Sequence, residues 1–94
     1  MYITFNGKPI LPTKDALNEL SEIDMDLYDV SEILENGFEL RKRKKNILEK
    51  AIARGNKVIN VVVVDVGNYY KLIHCGEFTL TYKFRGILKD KNGF

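Results

Sequence analysis

The chain reads as an α+β protein whose helices come first and whose sheet comes second. Two observations carry this. Residues 13–36 hold apolar side chains at helical spacing, and from Phe38 onward the pattern shifts to the period-two alternation and β-branched runs of strands. A third observation bounds the size: with 94 residues there is room for one domain, residues 1–94, with one modest core.

Residues 2–5 read as a short edge strand. Tyr2, Ile3 and Phe5 are β-formers, and Asn6-Gly7 with the pair Pro9 and Pro12 is expected to stop regular structure. A helix follows from Thr13, a natural N-cap. Asp15 sits in the first turn, where the helix dipole favours a carboxylate, and Ala16, Leu17 and Leu20 keep helical spacing. A second helix is expected over residues 26–36, with Leu27, Val30, Ile33 and Leu34 on one stripe and Asp29, Glu32 and Glu35 on the other. Gly37 is its expected left-handed C-cap.

Residues 57–66 form the clearest strand. Four consecutive valines, flanked by Val58, Ile59 and Val66, suit an interior strand buried on both faces. Strands over residues 69–75 and 78–84 complete an antiparallel meander, with Asp65-Val66-Gly67-Asn68 and Cys75-Gly76-Glu77 as the hairpin connections. Residues 89–94 are polar and expected to fray. Residues 46–54 admit two readings. Ile47, Leu48, Ala51 and Ile52 recur at helical spacing, yet the Gly55-Asn56 turn signal lets the same segment pair with the valine strand.

Composition excludes several classes. With 45% hydrophobic and 30% charged residues, and five each of Tyr and Phe, the chain is neither disordered nor low in complexity. The single cysteine, Cys75, rules out an intramolecular disulfide and a Cys-rich zinc site, and favours a reducing compartment such as the cytoplasm. The N-terminus lacks a basic segment followed by an apolar one, and the apolar run Val61-Val62-Val63-Val64 is far short of the ~18 residues that cross a bilayer, so neither export nor membrane insertion is expected.

Charge is distributed unevenly. From Thr13 to Glu39 there are nine acids and one base, Lys14; from Arg41 to Lys57 there are eight bases and one acid, Glu49. Arg41, Lys42, Arg43, Lys44 and Lys45 are consecutive, and Lys50, Arg54 and Lys57 extend the charge. Such a run is either a solvated loop pairing with the acidic helix beside it, or a phosphate-facing patch. Tyr69 and Tyr70, and Tyr82 and Phe84 near Lys83 and Arg85, are ordinary sheet residues that could also stack on bases.

Few residues suit catalysis. His74 is the only histidine and the best-matched proton donor at neutral pH, although a histidine in a strand is also a common structural residue. Glu49 is either a base among cations or half of a Glu49–Lys45 or Glu49–Lys50 pair. Cys75 adjoins His74, but neighbouring strand positions face opposite ways, so Cys75 reads as core. No phosphate-binding Gly-rich loop, nucleophile elbow or zinc-protease motif is present, and no cofactor or metal is expected.

The element order, with Val30-Ser31-Glu32-Ile33-Leu34-Glu35-Asn36-Gly37, the spacing of Arg43, Lys44 and Lys45 to Glu49, the valine strand, and Ile73-His74-Cys75-Gly76-Glu77-Phe78-Thr79, resembles a small prokaryotic domain family related to BrnT-type and RelE-type toxins. The resemblance spans most of residues 1–85. It implies helices packed on one face of a curved antiparallel sheet, with residues 46–54 as a strand. It also implies that basic and aromatic residues on the other face engage messenger RNA and that a partner antitoxin covers that face. Where such relatives open the first helix with a His-Ala pair and an Arg one turn later, this chain has Lys14-Asp15-Ala16 and Asn18.

Two functions follow as expectations. One is a binding module for RNA or a protein, with Arg41, Arg43, Lys44, Lys45, Lys50, Arg54, Lys57 and Tyr82 as the nucleic-acid contacts. The other is a ribonuclease using His74, Glu49 and Arg54, with attack by a ribose 2′-hydroxyl. A purely structural role is the third alternative. Expected partners are RNA, a small antitoxin or other acidic protein, or a second copy of the chain.

Overall fold

The computed structural model of the chain describes residues 2–40 and 43–79. Arg41, Lys42, Tyr82 and the tail over residues 89–94 lie outside the described residues, as does the part of the expected strand 78–84 beyond Thr79. Over the described residues the architecture is α+β: two helices and a six-stranded sheet curled into a half-barrel, in the order β1-β2-β6-β5-β4-β3.

Strands β1 (Thr4–Phe5) and β2 (Lys8–Pro12) form a hairpin. Asn6 and Gly7 make its two-residue turn at φ values of 53° and 77°, a conformation that Asn and Gly tolerate best. The expectation that Pro9 and Pro12 end regular structure is therefore corrected. Ile10 donates its N–H to Ile3 at 2.9 Å, so position 9 points toward β6, whose pairing with β2 begins only at Ile10. The N–H that Pro9 lacks has no partner to lose. The pairing of β2 with β6 is parallel, which also corrects the fully antiparallel expectation.

Helix α1 (Lys14–Glu22) starts at Thr13, whose Oγ1 accepts from the Ala16 N–H at 3.1 Å. Helix α2 (Leu27–Asn36) starts at Asp26 through a reciprocal cap with Asp29, each carboxylate accepting the other's backbone N–H at 3.0 Å. Gly37 is not left-handed as expected; its φ is −75°. A Cβ there would lie 2.5 Å from the Ile33 carbonyl oxygen and 2.6 Å from that of Ala51, so glycine is needed for close approach of the helix end to the sheet.

Strand β3 (Phe38–Glu39) pairs with β4 (Ile47–Arg54), which resolves residues 46–54 in favour of strand. The helical spacing of Ile47, Leu48, Ala51 and Ile52 loses to two-sided packing. Leu48 and Ile52 join the helix-side core, while Ala51 packs with Leu40 and Val58 on the opposite face. β5 (Lys57–Asp65) follows a two-residue turn at Gly55-Asn56, with Arg54 opposite Lys57. Residues 58–63 of β5 are all buried, as an interior strand requires. Ile59, Val61 and Val63 meet Leu20, Val30, Ile33 and Leu34 from the helices, each contributing about 1.5–3 kcal/mol on full burial.

β6 (Tyr70–Thr79) overturns the expected turn at Cys75-Gly76-Glu77. It runs on as one strand because β5 needs a partner along its whole length: Asn60 pairs with Gly76, Val58 with Phe78 and Lys57 with Thr79. A bulge between Val62 and Val63 inserts Ile73, leaving Ile73 and His74 both exposed in succession.

Candidate functional site

β4 separates the cations that are adjacent in sequence. Arg43, Lys44 and Lys45 stand where the chain enters β4, and Arg54 and Lys57 flank the turn at its other end. At ~3.3 Å per residue the two groups lie about 23 Å apart. They also differ in face: Lys50 and Arg54 alternate with Glu49 and Ala51, placing them on the helix side with Leu48 and Ile52. The described cations of the basic run do not form one patch.

Folding gathers a different set at the Arg43–Lys45 end. The Asp65 N–H donates to the Asn46 carbonyl, Lys71 pairs in register with Val64, and Lys8 of β2 reaches Asp65 at 2.7 Å. Lys8 also lies 4.5 Å from the centre of the Tyr70 ring, a cation–π contact. The Asp65 carboxyl is held below its usual range by the Lys8 ammonium and then by the Gly67 N–H, and Lys8 is raised in turn by its bond to Asp65. Lys8 and Lys71 escaped the sequence reading. Each is an isolated cation in an apolar strand, and only the β2–β6–β5 pairing brings them near Lys44 and Lys45.

Glu49 is 1% exposed. Arg43 Nε donates to its Oε1 at 3.0 Å and Asn60 Nδ2 to its Oε2 at 2.8 Å. The expected Glu49–Lys45 or Glu49–Lys50 pair is thus replaced by Arg43, since Lys50 projects from the other face. A carboxylate enclosed this way holds neighbours in place; it is not positioned as an accessible base.

His74 pairs in register with Val62, which pairs with Glu49, so Glu49 and His74 occupy one row across three strands, about 10 Å apart. Beyond Leu72 the outer edge of β6 is met by α1, and Glu19 of α1 binds it twice. Its Oε2 lies 3.1 Å from His74 Nδ1 and its Oε1 accepts the Cys75 N–H at 3.2 Å. With Nδ1 held, Nε2 lies over Gly76. A Cβ on residue 76 would stand 3.0 Å from His74 Nε2 and 3.1 Å from Asn60 Oδ1. Arg43, Glu49, Asn60, Gly76, His74 and Glu19 therefore form a polar line across the sheet. Glu19 and Asn60 carried no signal in sequence, because their partners lie 55 and 11 residues away.

The remaining candidates fall elsewhere. Arg54 borders a cleft of about 200 Å³ with Asp29, Glu32 and Asn36, on the helix side of the far hairpin, and does not join His74 and Glu49. Lys57 pairs with Glu77 at 3.2 Å. Cys75 is core, as expected; burial, then the Glu19 charge, pushes its thiol up to about 12, so it is not a nucleophile. Among the described residues no group of three or more His, Cys, Asp and Glu could hold a metal ion, and no helix is long and apolar enough to cross a membrane.

No protein-family model matches the chain, and no curated protein or solved structure shows significant similarity to it.

Proposed function

We propose that the protein is a small RNA-binding module with a fold of the RelE and BrnT toxin kind, contacting phosphates through the lysine-rich end of its sheet. One observation carries this reading. Of the three described cations entering β4, Arg43 turns inward to Glu49, whereas Lys44 and Lys45 are exposed and make no ion pair with any described residue. The alternative, a basic loop neutralised by the acidic helices, is not what these side chains do. Lys8 and Lys71 extend the positive end, and Tyr69 offers a partly exposed ring beside them.

The test is fluorescence anisotropy with a labelled single-stranded RNA across a salt series. Affinity should fall steeply with salt, and each phosphate contact removed by Lys44→Glu or Lys45→Glu should flatten the log–log slope by about 0.7. Absent or salt-insensitive binding would overturn the reading.

A ribonuclease reading is the second, favoured by the orientation of His74. Glu19 holds Nδ1, so a ring carrying both protons can give the one on Nε2 to the departing 5′-oxygen while the ribose 2′-hydroxyl loses its proton to water and its oxygen attacks the phosphate. Cleavage that His74→Ala slows by ~10²-fold, with Arg54→Ala unchanged, would support it; cleavage indifferent to His74 would dismiss it.

A further inference from the structure

A second surface lies on the helix layer, away from the lysines. The end of α1, the α1–α2 connection and the start of α2 enclose an open groove of about 610 Å³, whose apolar floor among the described residues is Ile3, Leu17, Leu20, Met25, Leu27 and Tyr28. Leu17 and Tyr28 are 54% and 58% exposed, and Tyr2, beside Ile3 in the chain, is more exposed still. Side chains of this size left in water are not needed for the core, which Ala16, Leu20, Val30, Ile33 and Leu34 already build from the same helices.

Charge selects the occupant. From Asp15 to Glu39 the chain has nine acids and no Lys or Arg. Asp24 and Asp26 line the groove itself. Neither helix carries a cation in its last turn. A nucleic acid or an acidic segment would be repelled here, and an uncharged apolar one would leave these carboxylates without partners. Among the described residues a second copy of the chain offers a poor fit: its unpaired cations Lys44 and Lys45 have one large exposed apolar neighbour, Val66, too little to fill the groove.

We infer that this groove docks a basic amphipathic segment of a partner protein, its apolar ridge lying over Leu17 and Tyr28 and its Lys or Arg flanks meeting Asp24 and Asp26. The site is independent of the RNA reading, since it uses different residues and the opposite charge.

The experiment is selection from a displayed library of random peptides of about 15 residues, near the shortest length for an isolated helix, against the full chain and against a Leu17→Ser/Tyr28→Ser variant. Both substituted residues are exposed, so the variant should keep the thermal midpoint of the parent. Enriched peptides should carry net positive charge with apolar residues at i, i+3 or i+4 and i+7. They should bind the parent at least tenfold more tightly than the variant, and more weakly as salt rises. Enrichment that ignores the double substitution, a consensus without net positive charge, or no enrichment would overturn the proposal. So would sedimentation showing a parent dimer that the variant converts to monomer, which would assign the groove to a second copy.

Discussion

The acidic stretch and the basic stretch of this chain are comparable in sequence and opposite in space. The acids over residues 15–36 stay on one layer because both helices rise only ~1.5 Å per residue and pack into the same core on one face of the sheet. The bases over residues 43–57 come apart because they flank an extended strand that advances ~3.3 Å per residue and alternates faces. Charge density in sequence therefore becomes a surface patch when the segment is helical. When the segment is a strand, it becomes two ends and two faces. The positive end that does form is assembled from three separate parts of the chain, Lys8, Lys44 with Lys45, and Lys71.

Several measurements would sharpen or break this contrast. The largest effect is expected at the one acid inside the basic stretch. Glu49→Ala leaves Arg43 and the buried Asn60 amide without their carboxylate and should cost about 3–5 kcal/mol in urea unfolding. A loss under ~1 kcal/mol would mean that Glu49 does not hold the line across the sheet.

Next come the two glycines at close contacts. Gly37→Ala drives a methyl into two carbonyl oxygens of the backbone and should cost about 2–3 kcal/mol. Gly76→Ala meets side chains that can move, so it should cost about 1 kcal/mol and displace His74, visible as a shifted imidazole resonance by NMR. Equal costs at the two sites would contradict the difference between backbone and side-chain obstruction.

Smaller is the division between the two basic groups. Lys44→Glu/Lys45→Glu should weaken RNA binding at least ~10-fold, whereas charge reversal at Arg54, on the helix side of the far hairpin, should change it less than ~2-fold. Equal losses would restore the basic run as one patch.

The smallest effect concerns Lys8 and Asp65. Asp65 has a depressed folded-state value, so its contribution is present above the ordinary carboxylate range and is lost as pH falls through the folded value. Lys8 is raised, so its contribution is full below 10.5 and lost as pH rises past that. Lys8→Met should therefore reduce stability at pH 7, with the difference vanishing once pH has fallen through the folded Asp65 value; a difference that persists there would point to lost packing against Tyr70 instead.

Much of this was legible locally. Thr13 and Asp26 begin helices through their own side chains, and the run from Val58 to Val63 can be satisfied only between two covered faces. The misreadings share one cause. Pro9, Gly37 and Gly76 read in sequence as local punctuation, but each answers to a distant neighbour: β6 for Pro9, the Ala51 carbonyl for Gly37, and the Asn60 and His74 side chains for Gly76. In sequence His74 stands out as the one histidine and Glu49 as the one acid of the basic segment. Their partners Glu19 and Asn60 do not, and Arg43 reads as a phosphate contact, since pairing between distant segments leaves no mark at fixed sequence spacing.

By itself the sequence determined the helix starts, the buried central strand, the cysteine in the core and the separation of acids from bases along the chain. These follow from caps, periodicity and composition, which act over a few residues. Tertiary structure alone decided that residues 47–54 are a strand, that β2 lies parallel to β6, and that Lys8 and Lys71 stand with Lys44 and Lys45. Each of those depends on burial and backbone hydrogen bonding between segments far apart in the chain, where the need to cover β5 on both edges outweighs the local preference of the segments that cover it.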